Sequence, residues 1–575
     1  MKKNSLKNYQ VDDWKDIHHV LKKISTDDYP IQKTATLKEL ISDGVAFITY
    51  NYGIDGVSIE ISKYARYFEH TYSNSEKHIS IHLIGGGFLE HSESVIKSRW
   101  HKLEIPNFDG WDKWDNGKWF KKLFYEDMPE ESEKSDSLAK EIWKQASNFA
   151  EEIIEYINEN NIKLIVPVNI SSNPGNFASS LAVVLVSEVT GTFVLNSNHD
   201  FYWEGGKPAH KRKEGESPGG RDHFFRNYNN KSFFKLFKKI LPWNGKRWFQ
   251  LNINKQQSKK LISKFGFPPE RVGEVGTSIP DSFFKDYSPE AIQIKRLAMS
   301  YIFSDGQPVI SPIHIDEHIS SLDEWMNNQK PVVCSVIKNT SLDIVNKPVV
   351  YFLQPTRVIE RKRIELDCKL IGELVNFTDF YKHLTDSKNI LLHITGPVPV
   401  EHKSDLENLL QVYKKVAKKI HNQIDGEFFI AFSVGTEKHP ELKKTGLRNL
   451  HIWDFYHIAD MALFPSEEEG RGLPLIESAA TETPIVSSRY YPEKVFIEVV
   501  GENLKEELQI KYILFPENNF TPENLNEITN SIFDPKIRNK LVRHNKNAVF
   551  IRYGIKALSK HFKDALNKLI AESRN

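Results

Sequence analysis

A short acidic stretch at residues 462–480 carries most of the chemistry that this sequence offers. It reads Ala-Leu-Phe-Pro-Ser-Glu-Glu-Glu-Gly-Arg-Gly-Leu-Pro-Leu-Ile-Glu-Ser-Ala-Ala, a pattern that predicts a strand, a loop and then a helix. Gly470 and Gly472 let the backbone approach a ligand closely, and free amides at a helix start favour an anion. Glu469 lies in the loop, and Glu477 lies about one turn into the helix. A diphosphate at the helix start, with hydroxyls near both carboxylates, would suit a nucleotide-sugar.

Two cations, Arg357 and Lys362, follow the strand that we predict at 348–353. Breaking a sugar–phosphate bond leaves a nucleoside diphosphate with extra negative charge, and fixed cations stabilise that leaving group. Arginine forks onto phosphate oxygens whereas lysine acts as a point charge, so the two residue types complement each other. Taken alone, the same two residues would be surface charges before a helix.

The first half of the chain offers further candidates where predicted strands end. Gly53 and Gly56 form a turn after the first strand, which could also be an ordinary turn. His199 follows a later strand, and Asp200 beside it could orient the imidazole or cap a turn. Asn169 lies in a polar loop for which an ordinary strand–helix turn is an equal interpretation. These positions are of interest because open α/β sheets bind ligands at the carboxyl ends of their strands.

Buried strands that alternate with helices position these residues, and they occur in two series. The predicted strands are 45–50, 79–84, 163–168 and 192–195 in the first series and 348–353, 390–394, 428–432 and 462–464 in the second. This pattern predicts an α/β protein with two Rossmann-like domains that face an interdomain cleft. We expect an N-terminal extension of unassigned role at 1–42, a first domain at 43–287, an irregular linker at 288–346 and a second domain at 347–552.

Taken together, the motifs resemble the retaining glycosyltransferases of family 4, which have the GT-B fold. The family signature is two glutamates around a Gly-x-Gly-Leu-Pro core, and Glu469 and Glu477 match it. The family also carries an arginine and, five residues later, a lysine, which Arg357 and Lys362 match. The sequence departs from the family at Arg471, where an aromatic residue is usual.

The resemblance implies both a fold and a set of site residues. In the GT-B fold the last helix, here 553–569, packs back on the first domain. The implied catalytic residues are His199, Arg357, Lys362 and Glu469, and the implied donor-binding residues are Gly53, Gly56, Gly470, Arg471, Gly472, Leu473 and Glu477. Glu477 would bind the donor ribose, whereas Glu469 and the loop amides would contact the transferred sugar and the diphosphate. His199 would contact the donor sugar near the reacting centre.

The activity implied by the resemblance is transfer of a sugar from a nucleotide-sugar to an acceptor hydroxyl with retention of anomeric configuration. Family members are thought to react at one face of the sugar, the departing phosphate helping to deprotonate the acceptor. No convincing Asp-x-Asp motif stands at a strand end, and no His or Cys cluster has zinc spacing. We therefore predict that the enzyme needs no metal and no cofactor besides its donor substrate.

Composition excludes several other classes of protein. The chain has 575 residues, and its 77 Lys and Arg balance 76 Asp and Glu, which argues against a nucleic-acid partner. Only two cysteines occur, so a disulfide framework is excluded. The N-terminus lacks the apolar core of a signal peptide, and no apolar stretch approaches the roughly 20 residues of a membrane span. We therefore expect a cytoplasmic protein.

The acceptor side is expected near a basic segment, 205–250, which has 12 Lys or Arg against 3 acidic residues. This segment could bind a phosphorylated or carboxylated acceptor, it could lie on an anionic membrane and present a lipid, or it could be a solvated face whose aromatic residues pack on the domain. We favour a small anionic soluble acceptor over membrane contact. The acceptor-binding candidates are Asn169, Asp200, Lys211, Arg212 and Arg221.

Residues 354–357 and 199–203 also resemble the branch that makes small soluble glycosides, such as the glucosylglycerate-type and sucrose-phosphate enzymes. Two alternatives remain open at this point. One is a membrane-associated enzyme that glycosylates lipids, and the other is a non-catalytic GT-B subunit that binds a nucleotide-sugar.

Overall fold

Two compact units make up the protein in its computed structural model. The structure describes residues 6–25, 36–53, 55–73, 78–90, 92–110, 118–215, 219–276, 278–385, 388–434, 436, 438–517 and 519–572. Unit 1 contains the described residues up to Gly276 together with those from Leu558 onward, and unit 2 contains those from Ser278 to Ala557.

Unit 1 is built on a seven-stranded sheet in which all neighbouring strands are parallel. The strands are β1 (Val45–Ile48), β2 (Ile81–Gly85), β3 (His101–Glu104), β4 (Leu164–Pro167), β5 (Phe193–Asn198), β6 (Trp248–Asn252) and β7 (Val272–Glu274). Their spatial order is β3-β2-β1-β4-β5-β6-β7, so the winding reverses between β1 and β4 as in a doubly wound sheet.

Among the described residues of unit 1, eight α-helices precede or connect these strands. They are α1 (Trp14–Ile24), α2 (Leu37–Ile41), α3 (Gly56–Tyr72), α4 (Lys118–Phe124), α5 (Glu133–Glu159), α6 (Phe177–Thr190), α7 (Lys231–Ile240) and α8 (Lys255–Phe265). One apolar core contains residues of α1, α5, α6 and α7, and the other contains residues of α2, α3 and the last helix, Ile555–Glu572. Because both faces of the sheet are covered, its central strands are apolar throughout.

Unit 2 is built on an eight-stranded sheet. The strands are β8 (Ile313–His314), β9 (Val332–Ser335), β10 (Val349–Gln354), β11 (Asn389–Ile394), β12 (Phe428–Phe432), β13 (Met461–Phe464), β14 (Ile485–Ser487) and β15 (Ile513–Leu514). Their order is β15-β14-β13-β10-β11-β12-β9-β8, and every neighbouring pair is parallel except β12 and β9.

The helices of unit 2 complete its layers. They are α9 (Pro289–Phe303), α10 (Ile315–Ser320), α11 (Leu322–Asn328), α12 (Glu365–Asn376), α13 (Thr378–Tyr381), α14 (Lys403–His421), α15 (Ile452–Ile458), α16 (Leu473–Ala480), α17 (Glu493–Val500), α18 (Pro522–Phe533) and α19 (Pro535–Tyr553). The chain then enters the last helix, α20 (Ile555–Glu572), whose residues from Leu558 belong to unit 1.

The prediction of an irregular linker at 288–346 is wrong. This segment contains α9, β8, α10, α11 and β9, and it belongs to unit 2. The sequence pattern does not indicate these strands, because β8 has only two residues and because β9 joins the sheet antiparallel to β12, outside the alternating strand–helix pattern. The first domain accordingly ends at Gly276 and not at residue 287.

The segment 1–42 is part of unit 1 and not a separate extension, as far as it is described. Helix α1 buries Trp14, Ile17 and Leu21 in the core beside α7, whereas residues 1–5 and 26–35 of this segment lie outside the described residues. The prediction of two Rossmann-like α/β domains is confirmed by the two sheets. In the described part of the chain, no helix combines the length and apolar character needed to cross a bilayer.

Candidate functional site

The strongest candidate site of unit 2 lies where β10 and β13 end. These strands are parallel neighbours, so the loops that follow them leave the sheet at the same edge. We call residues 355–364, after β10, the cation loop, and residues 466–472, after β13, the acidic loop. The structure joins the two loops directly, because Lys362 Nζ donates a hydrogen bond to Glu469 Oε1.

The pair formed by Lys362 and Glu469 is almost buried. The exposed fractions of the two side chains are 8% and 11%. Burial lowers the pKa of Lys362, whereas the carboxylate of Glu469 acts in the opposite direction. An ion pair in such surroundings interacts more strongly than one in water. Each residue thus satisfies the charge of the other at the position where a diphosphate and a sugar are expected.

Backbone hydrogen bonds hold the acidic loop in place on two sides. The amide of Glu467 donates to the carbonyl of Arg361 at 2.9 Å, and the Arg361 guanidinium donates to the carbonyl of Glu468. On the other side, the amide of Glu469 donates to the carbonyl of Tyr491 at 2.9 Å. The loop geometry therefore depends on contacts that lie far away in sequence.

Helix α16 begins at Leu473, as the sequence predicts, directly after the acidic loop. Gly472 precedes it with φ +57°, a left-handed conformation that favours glycine, and a Cβ at this position would collide with the hydroxyl of Tyr490. No side chain among the described residues caps the helix. Pro474 has no amide hydrogen, and the amide of Leu475 donates to the carbonyl of Gly472 at 3.1 Å, so the donor that the start of α16 offers to an anion is the amide of Leu473. Gly470 is exposed and Arg471 is half-buried in the same loop.

Glu477 lies about one turn into α16 and is half-buried. The hydroxyl of Tyr456, from α15, donates to Glu477 Oε2 at 3.0 Å. Burial and the neighbouring carboxylate raise the pKa of Tyr456, which therefore stays a hydrogen-bond donor. This contact orients Glu477, and no sequence signal pointed to Tyr456.

Arg357 is exposed at the start of the cation loop and makes no ion pair with any residue that the structure describes. The loop passes so close to Gly396 that a Cβ there would collide with the backbone of Thr356 and Arg357. Behind the loop, the side chain of Gln354 donates from Nε2 to Asp367 Oδ2 at 2.7 Å, and its Oε1 accepts from Thr356 Oγ1 at 2.9 Å. Arg357 is thus free to meet a ligand on a loop that buried contacts hold.

Replacing Asp367 with asparagine should raise the free energy of unfolding near neutral pH. Burial raises the pKa of Asp367 well above 3.8, its unfolded value, so the folded state keeps a proton that the unfolded state has lost. This side chain therefore lowers the stability of unit 2 as the pH rises from about 4 toward the folded pKa, by up to about 1.4 kcal/mol per pH unit. Urea unfolding at pH 5 and pH 7.5 measures the free energy of unfolding of the wild type and of the variant.

The variant should show a smaller loss of stability between these two pH values than the wild type. Asp425→Asn, at an exposed aspartate of the same unit, serves as the matched control variant. An unchanged pH dependence in Asp367→Asn would mean that Asp367 is ionised in the folded protein.

In unit 1, the structure brings together Asn169, Asp200 and Arg221 where β4 and β5 end. The amide of Asp200 donates to Asn169 Oδ1 at 3.0 Å, and Arg221 Nη2 lies 3.3 Å from Asp200 Oδ1. Asn169 has φ 60°, a left-handed conformation that asparagine tolerates better than most residues. Three of the five acceptor-binding candidates therefore form one polar cluster.

His199 follows β5 and is 8% exposed. Its carbonyl accepts a hydrogen bond from Gln257 Nε2 at 3.0 Å, and the same amide group donates to Glu204. Glu204 in turn accepts from the amide of Phe201 at 2.7 Å. Gln257 and Glu204 therefore position the segment that carries His199. The sequence does not indicate either residue, because polar residues in a helix and a turn give no such signal.

The two glycines of the first loop have different surroundings. The amide of Gly53 donates to Ser58 Oγ at 3.0 Å, and Gly56 is the first residue of α3, capped by Asp55. A Cβ at Gly56 would meet nothing within 4 Å, so a side chain at this position would not clash with any described residue of unit 1.

The remaining basic candidates do not join the cluster of Asn169. Arg212 pairs with Asp222, which also accepts from the backbone of Lys207 and therefore organises its own loop. Lys211 is exposed in a short 3-10 turn. The apolar face of α7, from Phe233 to Ile240, is buried in the core of unit 1. Of the three interpretations of the basic segment, the structure of α7 therefore favours the last one, in which the aromatic residues pack on the domain.

Comparisons with known proteins agree with this architecture. Residues 381–519 match the family model described as Glycosyl transferases group 1. The mannosylglucosylglycerate synthase of Petrotoga mobilis is 24% identical over 524 residues, with 88% of this chain and 96% of that protein covered. The protein of the same name from Thermotoga maritima is 25% identical over 211 residues, which cover 34% of this chain and 43% of that protein.

Among solved structures, Anabaena HepE in complex with UDP and glucose superposes with a TM-score of 0.50 at 10% identity, with 91% of this chain and 99% of that chain covered. The two-sheet architecture and these matches give a GT-B fold, which confirms the predicted fold class.

Proposed function

We propose that this protein is a retaining glycosyltransferase that moves a sugar from a nucleotide-sugar to a hydroxyl of a small anionic acceptor. The observation that carries the proposal is the joining of the cation loop to the acidic loop through Lys362 and Glu469, directly before the amino terminus of α16. Cations, helix amides and carboxylates at one sheet edge offer what a sugar bound to a diphosphate requires.

In the proposed mechanism, unit 2 acts on the leaving group. Arg357 and Lys362 face the diphosphate together with the amino terminus of α16, and they stabilise the negative charge that develops as the sugar–phosphate bond breaks. Glu477, oriented by Tyr456, binds the ribose hydroxyls, and Glu469 contacts the transferred sugar. The departing phosphate accepts the proton of the acceptor hydroxyl, so the reaction is proposed to need no metal and no further cofactor.

The proposed acceptor is a glycerate glycoside, because the two relatives described above are named mannosylglucosylglycerate synthase. Such an acceptor carries a carboxylate. His199 and the cluster of Asn169, Asp200 and Arg221 lie at the strand ends of unit 1, where a hydroxyl-rich ligand would find both donors and acceptors. A lipid acceptor is less well supported, since α7 buries its apolar face within unit 1.

A transfer assay tests the proposal. The full chain is incubated with glucosylglycerate and with UDP-, GDP- and ADP-linked glucose or mannose, and the anomeric configuration of any product is read by NMR. Formation of a product that keeps the donor configuration is expected with one donor. Tight nucleotide binding without transfer or donor hydrolysis would instead indicate a non-catalytic binding subunit.

Glu477→Gln should weaken binding of the active nucleotide-sugar by about tenfold, because a charge-assisted hydrogen bond to the ribose is lost. Calorimetry measures the affinity, and Glu468→Gln, at an exposed position of the acidic loop, is the matched control. Equal affinities for Glu477→Gln and the wild type would show that Glu477 does not bind the donor.

A further inference from the structure

A cavity of unit 1 lies at the edge of the sheet opposite to the one that carries the candidate residues. It has a volume of about 740 Å³ and is formed by α3, by the residues that lead into β2 and by residues 97–101 before and at the start of β3. We call it the amino-edge pocket. Because the strands are parallel, Asn169 and His199 lie at the carboxyl edge, and this pocket is a separate site.

Positive charge dominates the lining of the amino-edge pocket. Among the described residues, its permanently charged side chains are those of Arg66, Lys97, Arg99 and Glu69, which leave an excess of two positive charges. Three imidazoles, His70, His78 and His101, add further nitrogen groups to the lining. Such a concentration of cations in a concave surface attracts an anion.

Glu69 organises part of this lining. It accepts from Lys97 Nζ at 2.7 Å, from Arg99 Nη2 at 2.8 Å and from Trp100 Nε1 at 2.8 Å. Burial acts against ionisation, yet these hydrogen bonds hold the pKa of Glu69 below its ordinary value. Glu69 therefore contacts two of the cations that line the pocket, although the Arg99 side chain remains 64% exposed.

The structure assigns to the amino-edge pocket a binding site for a small molecule that carries a phosphate group. A phosphate monoester has a charge of about −1.5 to −2 near neutral pH, which matches the excess of two positive charges. The paired N–H donors of an arginine guanidinium match the oxygens of a phosphate, and imidazole N–H groups can also donate hydrogen bonds to them. The volume fits a hexose phosphate, since small-molecule sites commonly measure about 300–1,000 Å³. This inference is independent of the proposed function.

Calorimetry on the full chain tests the assignment, with inorganic phosphate and glucose 6-phosphate as probes and glucose as the uncharged control. Both phosphates should bind and glucose should not. The double variant Arg66→Ala with Arg99→Ala should bind glucose 6-phosphate at least roughly tenfold more weakly, because two charge-assisted contacts are lost. Lys102→Ala, an exposed cation on β3 that does not line the pocket, should bind as the wild type does.

Two further variants keep the result decisive. Arg66→Gln alone leaves the contacts of Glu69 intact, so a several-fold loss of affinity in this variant cannot come from disorder of Lys97 and Arg99. Arg357→Ala tests whether the phosphate binds to unit 2 instead. Undiminished binding in the double variant, loss of all binding in Arg357→Ala, or no binding of either phosphate at millimolar concentration would each overturn the assignment.

Discussion

Lys362→Ala is expected to lower turnover by at least roughly tenfold, because a charge-assisted contact of about 1.5–3 kcal/mol to the leaving diphosphate is lost. The buried position of Lys362 makes this effect large, since its charge acts in surroundings with little water. The effect should fall mainly on kcat, because negative charge on the leaving group grows as the bond breaks. Steady-state kinetics with the active donor measure both parameters.

The same substitution leaves the carboxylate of Glu469 nearly buried without its cation, so the stability of unit 2 should fall as well. Thermal unfolding separates this loss from the catalytic one, because kinetics at a temperature well below the transition report the folded enzyme alone. Lys369→Ala, at an exposed lysine of α12, is the matched control and should retain normal kinetics. If turnover of Lys362→Ala is within twofold of the wild type, Lys362 does not contact the diphosphate.

Gly472→Ala should be the most damaging glycine substitution in the acidic loop. A left-handed backbone costs a residue with a Cβ about 1–2 kcal/mol, and the new methyl group would collide with the Tyr490 hydroxyl, which adds about 1–3 kcal/mol. Tyr490 cannot swing away, because it is 1% exposed. We expect a loss of about 2–5 kcal/mol in unfolding free energy and a marked loss of donor affinity, because the helix start is displaced.

Two comparisons make this prediction specific. Gly470→Ala should be tolerated, since a Cβ there would meet no atom within 4 Å. Tyr490→Phe should partly rescue Gly472→Ala by removing the colliding hydroxyl, which has no hydrogen-bond partner among the described residues. Denaturant unfolding of the wild type, Gly472→Ala, Tyr490→Phe and the double variant forms a double-mutant cycle, and strictly additive effects would contradict the proposed contact.

The elements that the sequence analysis predicted well are those with a local signal. The buried runs at β1, β10, β11 and β12 and the opening of α16 at Leu473 follow from apolar patterning and from glycine and proline beside it. Short or polar strands gave no such signal, so β3, β8 and β15 were not predicted. The burial of α1 in unit 1 was missed because amphipathic patterning does not say what a helix packs against.

The sequence by itself determined which chemistry is available: two carboxylates around a glycine loop, an arginine and a lysine five residues apart, and two series of strands and helices. Tertiary structure alone decided that Lys362 pairs with Glu469, which is 107 residues away, that Tyr456 holds Glu477, and that Asn169, Asp200 and Arg221 form one cluster. The physical reason is that residue types and spacing act locally along the chain, whereas such pairs depend on which strands become neighbours in a sheet. The order of those strands is set by the packing of the whole core.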